Sequence, residues 1–319
     1  VEWVKDERIV LKANEKYWRG APSVKKVIFK PIPEAASRVM ALQSGEVDII
    51  VNVPPHQVAT IEKSTKASVA KVASIRIIFL PFVSRPGSPV NNPLVRQALN
   101  YAVDVQGIIS SLLAGNAVEL TQTLANTEFG FDPNLKAYSY DLAKAKELLA
   151  AAGYPNGFKL TFLAPTGRYM MDKEVAEAVK SQLTALGLEV DLKIQEWGVY
   201  VEKLLARTVE ADIFMIGWSS GIFDADGTLF SWFRSGQRFG YYQFDAARIA
   251  QMDNILDEAR TILDTKRREE LYRQALKMTH DDAAWVPLYQ QSDIYGVSNR
   301  IQWTPRSDEF IQIYNAKWK

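Results

Sequence analysis

The sequence predicts an α/β fold, and three observations carry that expectation. Strand-like and helix-like segments alternate along most of the chain. Several helices carry their own start and stop signals, such as Gly45 behind one and Asn92-Pro93 ahead of another. At 319 residues and 47% apolar content, the chain can bury a substantial core, and its length suggests two domains.

In chain order, Arg8–Leu11 and Val27–Phe29 read as strands, with a turn-rich link carrying Tyr17 and Trp18 between them. Glu34–Ser44 reads as a helix stopped by Gly45, and Asp48–Val51 as a strand bounded by Pro54-Pro55. Strand, helix and strand in that order predict a crossover on a parallel sheet. Ile75–Phe82 is a second apolar strand. A helix then starts at Asn92-Pro93 with Leu94, Ala98, Tyr101 and Ala102 on one face, and Asp104 caps the next. Residues 116–138 read mostly as loop, with a helix from Ser139 to Gly153. Lys159–Leu163, Leu188–Ile194 and Ala211–Trp218 are strands separated by helices over 173–186 and 199–207. Two long charged helices, near 246–263 and 266–279, present solvated faces. The strand Trp285–Tyr289 and an aromatic tail close the chain.

Composition excludes several chemistries. Lys+Arg (38) and Asp+Glu (37) nearly cancel, which leaves no electrostatic footprint for nucleic acid or an anionic membrane. His56 and His280 are far apart and suggest no metal cluster. Cysteine is absent, so disulfides, thiolate nucleophiles and Cys-type zinc sites are ruled out, in keeping with export to an oxidising compartment. No run approaches the roughly 20 apolar residues that cross a bilayer. Val1-Glu2-Trp3 shows neither a charged n-region nor an apolar h-region, as in a mature or trimmed form. Phosphate-loop, Gly-x-Ser-x-Gly and His-Glu-x-x-His patterns are missing.

Several segments resemble the extracellular solute-binding proteins of family 5, the oligopeptide, dipeptide and nickel type. They are Val1-Glu2-Trp3 through Asn14-Glu15-Lys16-Tyr17-Trp18, the run Leu42-Gln43-Ser44-Gly45-Glu46-Val47-Asp48, Pro93 to Asp104, Ala143 to Tyr154, and Asp212 to Trp218. They fall in the family's order. The resemblance implies a two-lobe periplasmic-binding-protein type II fold whose first lobe is incomplete here. Residues 1–76 and 291–319 would be the remnant of lobe I and 77–290 lobe II, with a longer N-terminal section preceding this chain in family members. It further implies the substrate-binding component of an ABC importer, periplasmic or extracellular. Such a component binds a peptide-like or small polar solute and meets a membrane permease, without a cofactor and without catalysis. The remnant's exposed strand edges would favour self-association.

The resemblance places Trp218 at the border of the ligand cavity, followed by Ser219 and Ser220. Peptide-binding members carry an Asp for the ligand's amine three positions after this Trp, where the present chain has Gly221; Asp224 is the nearest substitute. Arg168 and Tyr169 lie in a loop resembling one that faces the cleft, and a guanidinium there suits a carboxylate or phosphate. The ordinary alternative is a surface arginine. Tyr241, Tyr242, Tyr289 and Gln290 are weaker candidates; Trp197 and Tyr200 read as packing.

One rival pattern stands apart. Ile222-Phe223-Asp224-Ala225-Asp226-Gly227-Thr228-Leu229 resembles the first motif of haloacid-dehalogenase phosphohydrolases. Asp224 would be the nucleophile, Asp226 the acid/base, and Asp281-Asp282 the Mg²⁺ ligands. Against it, Ser219-Ser220-Gly221 interrupts the strand that should precede the motif. The ordinary reading is an Asp turn capping a helix over 228–233.

Overall fold

Apolar alternation sets the first elements. The computed structural model describes residues 1–241 and 245–319. The chain divides into two units, one of residues 1–74 and 292–319, the other of residues 75–291.

In the first unit, β1 (Glu2–Val4), β2 (Arg8–Lys12) and β3 (Lys26–Phe29) form an antiparallel meander with Trp3 opposite Ile9 and Ile9 opposite Phe29. Helix α1 (Ala35–Ser44) ends at Gly45, whose φ of 83° is a left-handed cap that glycine adopts without Cβ strain. Strand β4 (Ile49–Ile50) and α2 (Pro55–Glu62) follow, the latter with proline in its first turn. The expected parallel crossover is not formed: β3 stays in the meander, and β4 pairs antiparallel with the strand at 296–297. A strand–helix–strand order fixes sequence, not which strand becomes the neighbour. The long strand β5 (Ala67–Pro81) then leads into the second unit.

There, α3 (Pro93–Ala102) is capped by Asn92, whose side chain accepts from Leu94 N at 2.9 Å, and α4 (Val105–Ser111) by Asp104. A short strand β6 (Ala117–Glu119) lies in the stretch expected as loop, and α5 (Leu142–Ala151) is capped by Asp141 rather than begun at Ser139. Next come β7 (Lys159–Thr166), α6 (Asp172–Ala185), β8 (Glu189–Glu196), α7 (Trp197–Ala206) and β9 (Ile213–Phe214). They build a parallel sheet in the order β8-β7-β9, with Lys159 opposite Glu189 and Thr166 opposite Glu196. Leu160, Phe162, Leu163 and Ala164 are all buried, the continuous apolar run of a strand covered on both faces.

The expected strand over 211–218 is broken at Met215, giving β9 and β10 (Ile216–Trp218); β10 pairs antiparallel with β5, Gly217 opposite Ile78. Helices α8 (Ala225–Phe233), α9 (Ala246–Thr261) and α10 (Thr265–Asp281) complete the unit. Strand β11 (Trp285–Ser298) pairs with β6 at Tyr289–Glu119 and carries the chain back into the first unit. There β12 (Ile301–Gln302) and β13 (Lys317–Trp318) pair, and Val24, Tyr295, Val297, Ile301 and Ala316 form a buried core. The second unit's aromatic centre is Phe79 stacked on Trp285 with ring centroids 3.8 Å apart, and Trp232 edge-on to both.

Candidate ligand-binding site

The site candidates of the second unit gather where β7 and β10 end. Beyond β7 the backbone turns through Gly167, at φ 80°, and Met171, at φ 56°. The turn is organised by Asp172. One carboxylate oxygen accepts from the amides of Gly167 (3.2 Å) and Lys173 (2.9 Å), the other from Arg168 (2.8 Å) and Tyr169 (2.9 Å). Successive amides around one carboxylate form an anion nest, filled here by the chain's own side chain. Burial raises the Asp172 carboxyl above its ordinary value, and these four amides oppose that rise.

The turn fixes two side chains. Tyr169 is buried and donates from its hydroxyl to the carbonyl of Gly217 at 3.3 Å, joining the loop after β7 to β10. Glycine is required at 217, since a Cβ there would stand 2.7 Å from both Tyr169 Cε1 and Ile78 Cδ1. Arg168, half-buried, places its guanidinium carbon 5.2 Å from the Tyr169 ring centroid and 5.3 Å from that of Trp197, within cation–π range. Arg76 lies 5.6 Å from the same tyrosine ring. Trp197 packs against Arg168, Tyr169 and Tyr200, and Tyr200 is buried and donates to the Met215 carbonyl.

At the end of β10, Trp218 is half-buried and edge-on to Trp232 (5.6 Å) and Phe239 (5.1 Å); its Nε1–H is buried with no hydrogen-bond partner among the described residues. Ser219 is half-buried, Ser220 is buried, and Gly221 is exposed with open space around its Cα. Ser220 Oγ donates to the Asp224 carbonyl at 3.3 Å and sits where a Cβ at Gly227 would be, 2.1 Å away.

Asp224 caps α8 through the Asp226 amide at 3.0 Å. Both its oxygens are also held by the Arg268 guanidinium at 2.9 Å, and Arg268 in turn donates to Tyr272 Oη at 2.8 Å. A ligand ammonium would have to compete with that guanidinium for the carboxylate. Arg260 lies 3.1 Å from Asp226. Behind them sits Glu128, 5% exposed, accepting from Ala125 N at 2.8 Å and facing Thr228 Oγ1 at 3.4 Å. Burial pushes this carboxyl up to about 7, with the nearby Asp224 charge adding to the rise. The same loop binds the backbone on either side of Asp224: Phe129 N donates to Phe223 O and Ala225 N to Phe129 O.

Tyr289 is only 1% exposed, its hydroxyl has no hydrogen-bond partner among the described residues, and burial raises it well above the ordinary phenol range. Gln290 is buried and accepts from Asn126 N at 3.2 Å, and Tyr241 donates to the Leu204 carbonyl at 2.7 Å. Tyr242 lies outside the described residues. The phosphohydrolase alternative finds no support. Asp224 and Asp226 face arginines, Asp281 pairs with Lys277 and Asp282 with Arg248. Among the described residues no group of three His, Cys, Asp or Glu side chains is placed to hold a metal.

Sequence reasoning missed Asp172 and Arg268. An Asp at the head of an amphipathic helix was a usable signal for the first. Nothing local marks Arg268, which reaches Asp224 from another helix.

Arg168 stacks on Trp197 beyond β7, and the Tyr169–Gly217 hydrogen bond ties that loop to the β10 end that carries Trp218. The chain belongs to the bacterial extracellular solute-binding proteins, family 5, whose middle-region model matches residues 1–240. It is 29% identical over 305 residues to heme-binding protein A of Haemophilus influenzae, covering 95% of this chain and 55% of that protein. To the dipeptide-binding protein of Escherichia coli it is 29% identical over 288 residues, 88% of this chain and 53% of that one. The structure of the ABC transporter-associated periplasmic binding protein DppA from Helicobacter pylori, in complex with peptide STSA, superposes with a TM-score of 0.89. That match has 31% identity and covers 100% of this chain and 62% of the other. The chain thus spans little more than half the length of these curated relatives.

Proposed function

We propose that this chain is part of the substrate-binding component of an ABC importer. It captures a peptide-like or other small polar solute outside the cytoplasmic membrane and hands it to the permease with no bond broken. The observation that carries this reading is the Tyr169–Gly217 hydrogen bond, which brings the Arg168 loop and the Trp218 strand end together. The names of the relatives, for dipeptide, heme and peptide STSA, point the same way. In this reading Arg168, Trp197, Trp218 and Ser219 meet the solute, while Tyr169, Ser220, Asp224 and Tyr289 hold the surface in shape. In the same reading the two units are taken as the two lobes that the family resemblance implies.

The test is calorimetry and thermal shift of the full-length protein with di- and tripeptides, alongside mass spectrometry of whatever co-purifies. Saturable binding without turnover is expected. Phosphate release from a generic ester, lost on Asp224→Asn, would overturn the reading.

The first unit also exposes apolar strand residues, Trp3 (76%), Ile28 (53%) and Trp318 (53%), beside a groove of about 870 Å³ lined by Ile9, Ile49 and Ile311 among others. Such a surface favours association of this 319-residue chain with itself at high concentration. Light scattering that gives a clean monomer at high concentration would refute that.

A further inference from the structure

We propose that Glu128 is a positioning residue for the turn at residues 219–224, which it holds in place as the neutral acid and releases on ionisation. The inference rests on the binding-protein reading above for its consequence: the surface around Trp218 is firmer below neutral pH than above it.

Backbone geometry ties the loop that carries Glu128 to that turn. Phe129 N donates to the carbonyl of Phe223 at 3.0 Å, and Ala225 N donates to the carbonyl of Phe129 at 2.9 Å, so Phe129 brackets Asp224. Phe223 has a φ of 53°, a left-handed conformation that a bulky side chain keeps only where its surroundings enforce it. Gly130, next in the loop, packs so tightly that a Cβ would stand 2.9 Å from both Ala225 Cβ and Tyr272 Cδ2. On the other side of the turn, Phe223 N donates to Ser220 O at 3.1 Å, and Gly221 and Ile222 are exposed.

The carboxyl sits where an acid fits and its anion does not. It is buried, with one short hydrogen bond from Ala125 N at 2.8 Å and one long one from Thr228 Oγ1 at 3.4 Å. The charged and titratable groups around it are Asp224 and Asp226 at the head of α8, Arg260 on α9, and Arg268 and Tyr272 on α10. Both arginines are spent: Arg268 holds the two oxygens of Asp224, and Arg260 pairs with Asp226. Among the described residues no cation pairs with Glu128, and the charge on Asp224 opposes its own. The neutral acid can donate its proton to Thr228 Oγ1 while still accepting from Ala125 N. The anion must regain water. Its way out draws residues 128 and 129 from α8, which breaks the bonds from Phe129 to Phe223 and Ala225 and lets Phe223 leave its left-handed backbone.

The experiment uses the full-length protein and its Glu128→Gln variant, which keeps the geometry without the charge. Amide exchange at Phe129, Phe223 and Ala225 is followed without solute at about pH 6 and about pH 8.5 and corrected for the intrinsic rate. With the carboxyl pushed up to about 7 from an ordinary 4.5, wild-type protection at these amides should fall about tenfold between the two conditions. Low urea should leave that exchange unchanged, the mark of a local opening. Glu128→Gln should keep full protection at both. Asp172 and Asp226, which burial also raises, are present in both proteins, so the comparison isolates Glu128. Wild-type protection that does not fall, a Glu128→Gln protein that loses as much, or exchange that follows urea as that of Phe162 on β7 does, would overturn the inference and leave solute capture standing. Solute retained by protein purified from its own cells is then counted by mass spectrometry after dialysis at the same two pH values. Retention should be several-fold lower at the higher pH in the wild type and equal in Glu128→Gln; equal retention in both proteins would overturn the consequence for binding. No retained solute at either pH would count against solute capture itself, while the exchange still decides the role of Glu128.

Discussion

Replacing Glu128 by Gln should make the second unit more stable at mildly alkaline pH and flatten its pH dependence. In the folded protein this carboxyl is pushed up to about 7 from an ordinary 4.5. Between those values the folded state holds the proton more tightly than the unfolded chain does. Stability from this group is therefore fully present below about pH 4.5, declines as pH rises, and is gone above about pH 7. At about 1.4 kcal/mol per unit, the shift corresponds to roughly 3 kcal/mol across the window. Gln keeps the geometry, since its carbonyl can accept from Ala125 N and its amide can donate to Thr228 Oγ1, the two partners Glu128 has now. The assay is urea unfolding followed by tryptophan fluorescence at pH steps from about 4.5 to 8.5 for both proteins. Burial also raises Asp172 and Asp226, and both proteins share that slope, so the quantity read is the difference between the two curves. That difference should be near zero at the acid end and grow to about 3 kcal/mol at the alkaline end. Parallel curves would refute the reasoning.

Two further substitutions probe the binding surface. Gly217→Ala places a methyl 2.7 Å from Tyr169 and Ile78; it should cost about 1–3 kcal/mol in urea unfolding and weaken solute binding by displacing Tyr169. Asp172→Ala strips the partner from four backbone amides. Hydrogen exchange at residues 167–169 should rise, with stability falling by at least about 2 kcal/mol; unchanged protection there would show that the turn holds itself.

Much of this fold was legible from local chemistry. Asn92, Asp104 and Gly45 act as the caps their types promised, and β7 forms over the stretch Lys159–Leu163 expected as a strand. Partner choice was not legible. Nothing in Ile49-Ile50 says that Gly296 and Val297, far along the chain, will be its neighbours, and so the crossover was misread. The break at Met215 was equally hidden, because every residue around it is apolar and buried. Trp218, Arg168 and Tyr169 could be picked out as candidates from resemblance and residue type. The commitment of Asp224 to Arg268 could not, since the two lie on different helices.

Strands β5 and β11 each run from one unit into the other, so residues 75–291 form an uninterrupted insert within the first unit. Val24 therefore meets Tyr295, Val297 and Ala316 only after the ribosome has passed residue 316. The insert can settle during synthesis, whereas the surrounding unit must wait with its early strands unsealed until the tail arrives. A chain stopped before residue 292 would lack the partners that bury Val24 in the first unit.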